Sequence, residues 1–114
     1  MISPLLLLAL VAPAHSSAPP PNPNVQRQAF THCISQVLTT DLHANVAIDA
    51  FKAKLTMLCK AEEEAFRQAS MKSDLAIGIK AAAAQDNAAS EVKDILQTQG
   101  DRYQNFFESK TYPN

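Results

Sequence analysis

An all-α fold is predicted by three observations. Apolar residues recur at spacings of three and four along most of the chain, the period of a helix buried on one face. Alternating runs of Val, Ile and Thr, which mark half-buried strands, are few. Only two glycines interrupt 114 residues rich in Ala and Leu. The two cysteines, Cys33 and Cys59, fall on helical stretches either side of a short polar turn, so an antiparallel hairpin places them face to face. The predicted architecture is a disulfide-closed helical hairpin plus a third long helix, a small bundle spanning residues 24–108.

Taken in order, the chain opens on a signal peptide, Met1 to Ala14. Leu5 to Val11 is an unbroken apolar run, too short for a bilayer core of roughly 30 Å, which takes about 20 apolar residues. Ala12-Pro13-Ala14 offers small residues at the two positions a signal peptidase reads, so cleavage between Ala14 and His15 is expected. A cut after Ala18 would set Pro19 against the scissile bond. The segment carries no Lys or Arg, and no cysteine follows closely enough to take a lipid anchor. The expectation is an exported protein, periplasmic if the cell is Gram-negative and secreted otherwise.

Residues 15–23 carry prolines at 19, 20, 21 and 23, cannot donate a hydrogen-bond ladder, and are read as an exposed, disordered leader. Asn24 stands as the N-cap of a first helix. Its stripe is Val25, Ala29, Phe30, Cys33, Ile34, Val37 and Leu38, and Thr39-Thr40-Asp41 ends it. After a turn through Leu42 to Asn45, a longer second helix shows Ile48, Phe51, Leu55, Leu58, Cys59, Ala65, Phe66 and Ala69 on one side. Glu62-Glu63-Glu64 and Arg67 lie on its wet side, with Glu63 and Arg67 in the favourable order four apart.

A third helix is expected to start at Ser73 or Asp74 and to carry Ile77, Ala81, Ala84, Ala88, Val92, Ile95, Gln99, Tyr103 and Phe106 inward. Gly78, Gly100 and Gln85-Asp86-Asn87 are the places where it could bend or break, each glycine costing about 1 kcal/mol against alanine. Residues 109–114 are expected to fray.

Composition narrows the function classes. Ten basic and eleven acidic side chains are spread without a basic face or tail, so neither nucleic acid nor an anionic membrane is an expected partner once the signal is removed. With no Trp, five Phe and two Tyr, the core is thin and gains from a covalent staple. Closing the loop between Cys33 and Cys59 stabilises the fold by about 3 to 4 kcal/mol in the chain-entropy model.

A redox or thiolate role would call for a CxxC pair, a helix N-terminus or a neighbouring cation, whereas both cysteines sit mid-helix and His32 is turned about 100° from Cys33. His15, as a new N-terminus, would offer an amine and an imidazole to copper, but needs a further nitrogen from His32 or His43, and no HxxxH or Cys/His cluster supplies one. No isolated carboxylate pair, glycine-rich phosphate loop or serine elbow is present, so no catalytic residue, cofactor or metal is assigned. Tyr103, Phe106 and Phe107 are expected to close one end of the bundle, or to form a docking patch if exposed.

The stretches FTHCISQVLTTDL and AFKAKLTMLCKAEEEAFRQA resemble those of small exported two-cysteine helical proteins of alphaproteobacteria. The resemblance covers most of residues 30–69 and, more loosely, the stretch to Tyr103. It implies a Gram-negative periplasm and brings no activity with it. The leading expectation is a non-enzymatic periplasmic protein that acts through helix-face contact with a partner or with itself. The alternatives are a small redox or copper-binding protein and a helical carrier of a small apolar ligand.

Overall fold

Four helices form along the apolar stripes. The computed structural model describes residues 22–113, with α1 at Asn24–His43, α2 at Ile48–Leu58, α3 at Lys60–Ala76 and α4 at Ala81–Ser109. The expected signal peptide, the expected cleavage between Ala14 and His15, and most of the stretch read as a proline-rich leader lie outside the described residues. Phe30, Ile34, Leu38 and Leu42 descend one face of α1 at one-turn intervals and are buried against Phe51 and Leu55 of α2, Cys59, Phe66 of α3, and Val92 and Tyr103 of α4. The helices run up, down and up, the descending limb being α2 and α3 together.

Polar contacts pin both ends. At one end Arg27 donates to Glu91 at 3.0 Å, and the other Glu91 oxygen accepts from Ser70 Oγ at 3.2 Å. At the other end the Tyr103 hydroxyl donates to the Val46 carbonyl in the α1–α2 loop.

The expected boundaries need correction at five places. Pro23, not Asn24, occupies the cap position of α1, and the Asn22 side chain accepts from the Asn24 amide at 3.0 Å. Thr39, Thr40 and Asp41 do not end α1. Thr39 and Thr40 face solvent while Leu38 and Leu42 enter the core, so burial outweighs the local turn preference. The helix runs on to His43 and is closed just beyond it by Asn45, which takes φ +53°. Its amide donates to the Leu42 carbonyl at 3.1 Å and the Val46 amide to Asp41 at 3.0 Å, a Schellman pattern.

The second expected helix is two helices. Cys59 lies between them at φ −107°, ψ 17°, far from the usual helical values of about −63° and −42°. Its amide still donates to Leu55 and its carbonyl still accepts from Glu63, at 3.1 and 2.9 Å, so the joint bends the limb without severing it. Neither Gly nor Pro stands there; what distinguishes the residue is its tie to α1. Leu58, placed in the inward stripe by spacing, is exposed beside this joint.

The third expected helix does not begin at Ser73 or Asp74, which lie inside α3. The break comes at Gly78, φ +89°, where Gly78 and Ile79 amides donate to the Leu75 and Asp74 carbonyls at 3.1 and 3.0 Å. Ile77 and Ala81, expected inward, are exposed around this turn. Helix α4 then passes unbroken through Gln85-Asp86-Asn87 and Gly100. The tail does not simply fray either: the Thr111 amide donates to Phe106 at 3.1 Å, and Tyr112 stacks on His43 with ring centres 4.3 Å apart.

Candidate functional site

The cysteines are a sequence-predicted pair that the fold brings together across two elements. Their sulfurs lie 2.08 Å apart and their Cα atoms 5.9 Å. Cys59, at the joint between α2 and α3, is buried, and Cys33 on the facing α1 is half-buried. The histidines are kept apart. His32 and His43 are exposed on α1, and eleven residues at 1.5 Å each separate them by about 16 Å, so only one of them could join His15 in a common site. Among the described residues no group of three or more His, Cys, Asp and Glu could hold a metal ion. Ala14 and His15 themselves lie outside the described residues.

The aromatic end closes the core. Tyr103 is buried and stacks on Phe51 at 4.1 Å, while Phe106 and Phe107 are half-buried against the same cluster. Asp41 is buried close by, with one carboxylate oxygen 2.9 Å from Lys54 Nζ and the other without a hydrogen-bond partner. Burial raises the Tyr103 phenol above its ordinary value, and the Asp41 charge raises it further. Such a phenol is a structural donor rather than a base.

A groove runs between α2 and α4 within a turn or two of the Cys59 joint. Leu55, Val92 and Leu96 form its floor, Ala89 one wall, and Lys52, Arg67 and Lys93 its charged rim, with Thr56 and Gln97 beside them, around an open depression of about 420 Å³. Leu55 and Val92 are themselves buried, so the floor belongs to the core. Gly100 of α4 is buried because the Lys52 stem crosses it, with Cε 3.0 Å from where a Cβ would stand. A side chain at position 100 would push that stem away. The Arg67 guanidinium sits 3.8 Å from a Glu63 oxygen, a loose ion pair.

Sequence reasoning missed this groove. Lys52 beside Leu55, and Lys93 beside Val92 and Leu96, are ordinary cation-and-apolar neighbours on a helix face. Only the packing of α2 and α3 against α4 gathers them with Arg67 around one depression.

No helix among the described residues is long and apolar enough to cross a membrane. Compared with family models, curated proteins and solved structures, the chain matches none.

Proposed function

We propose that this is an exported, non-enzymatic helical protein that acts through helix-face contact with a partner helix or with a second copy of itself. The observation that carries the reading is a two-helix tip. Arg27, three residues into α1, is bonded to Glu91 and lies over the Phe66 ring at 5.2 Å, which fixes the level of the α1 start. From there α3 continues to Ala76 and α4 starts back at Ala81. At 1.5 Å per residue the pair projects roughly 10 Å beyond α1.

In that projection two helices stand where three pack elsewhere. Leu75 is 47% and Ile77 75% exposed, and residues 81–83 add exposed alanines. Apolar side chains at a helix–helix tip that no third helix among the described residues covers suit a docking helix. Supporting export are the two cysteines at disulfide distance and the character of residues 1–14. The resemblance to two-cysteine proteins of alphaproteobacteria makes the periplasm the compartment proposed.

Sedimentation equilibrium up to millimolar protein, combined with capture from a periplasmic extract, tests the contact. Association or capture that Ile77→Asp abolishes, with helicity unchanged, is the expected result. A strict monomer that retains nothing contradicts the reading.

A further inference from the structure

We propose that the groove between α2 and α4 binds a single-chain anionic amphiphile, an aliphatic carboxylate whose chain lies on Leu55, Val92 and Leu96 and whose head group meets Lys52, Arg67 and Lys93. This site is separate from the α3–α4 tip and does not depend on contact there.

Shape and charge carry the inference together. The volume of about 420 Å³ falls within the range of roughly 300 to 1,000 Å³ in which small-molecule sites occur. Leu55, Val92 and Leu96 make an aliphatic surface continuous with the core, which suits a flexible hydrocarbon chain, and Thr56 and Gln97 are the neutral polar groups of the lining. Three cations line the rim, and Glu63, 3.8 Å from Arg67, lies beside it without lining the groove, in a chain whose net charge is −1. The positive sign is therefore local to the groove, not a general property of the surface.

The cations are placed to be used. Lys52 lines the groove and its chain lies across Gly100, with Cε 3.0 Å and Nζ 3.8 Å from where a Cβ would stand. Arg67 faces Glu63 from α3 at 3.8 Å, too long for a good hydrogen bond, so its forked donors are available to a ligand carboxylate that competes with Glu63. A neutral chain would fill the floor and leave the rim unanswered. A small anion would meet the rim and leave the floor wet.

The test is an amide chemical-shift titration of the oxidised full chain with sodium decanoate, decanol and sodium acetate. Decanoate is expected to give saturable shifts around Leu55, Val92 and Leu96 below its micelle concentration. Decanol should bind about tenfold more weakly, because the charge-assisted contacts are absent, and acetate should not bind. Replacing Lys52 and Lys93 together by Gln should weaken decanoate about tenfold and leave decanol unchanged. Ala89 is exposed on the groove wall, so Ala89→Phe should fill the groove and abolish binding while circular dichroism reports a native fold. Equal affinity for decanol and decanoate, unchanged binding by Ala89→Phe, or shifts that never saturate would overturn the assignment.

Discussion

Tyr103 concentrates the chemistry of the interior in one side chain. It is buried, stacks on Phe51, and donates a hydrogen bond to the Val46 carbonyl in the α1–α2 loop. Its pKa in the fold is raised above the unfolded value of 10.0 by burial and by Asp41. The neutral phenol is thus favoured by folding, and that contribution is fully present below about pH 10 and lost as pH rises through the folded value. Urea midpoints compared at neutral and strongly alkaline pH should fall with rising pH, and Tyr103→Phe should flatten the fall. The same variant should cost about 1 kcal/mol at neutral pH, the net worth of one hydrogen bond. Lys54→Met should cost about 1 to 3 kcal/mol by leaving the buried Asp41 carboxylate without its partner, whereas Asp41→Asn with Lys54→Met together should cost less than either charge left alone. Little of this was legible in the sequence. Asp41 looks like a helix-ending residue, and only the packing of α1 on α2 shows that Lys54 reaches it.

At the scale of elements, the staple and the turns decide where helices stop. Cys33→Ser with Cys59→Ser is expected to lower unfolding stability by about 3 to 4 kcal/mol, the entropy of a closed loop of 26 residues, measured by denaturant unfolding of the oxidised wild type against the variant. Gly78→Ala meets no atom within 4 Å, so its cost is the left-handed backbone alone, about 1 to 2 kcal/mol, and should appear without loss of core packing. Helix existence was legible because the apolar residues repeat with the helical period: Phe30, Ile34 and Leu38 on α1, and Ala84, Ala88 and Val92 on α4, were all placed inward by spacing and are buried. The boundaries were not. Cys59 carries no local breaker, yet the chain departs from helical angles there, at the residue that is tied to α1. Ser73 and Asp74 have capping chemistry, but Gly78 a few residues later supplies the positive φ that a reversal needs, and the chain turns there.

For the whole molecule, the period of the apolar stripes was enough to predict a small helical bundle whose hairpin brings Cys33 to Cys59. It could not show the tip or the groove. The tip arises because α1 starts level with Glu91 while α3 and α4 run on, a consequence of relative helix lengths and register. The groove arises because three cations from three helices, Lys52, Arg67 and Lys93, surround apolar floor that each helix presents separately. Both are properties of assembly rather than of any one segment. We propose that the bond between Cys33 and Cys59 holds this bundle together in an exported chain. Intact mass of the protein from its native exported fraction, with and without reductant and thiol alkylation, tests it most directly. The expected mass begins at His15, is two hydrogens short, and takes up alkylating agent only after reduction. Retention of Met1, or thiols alkylated before reduction, would contradict it.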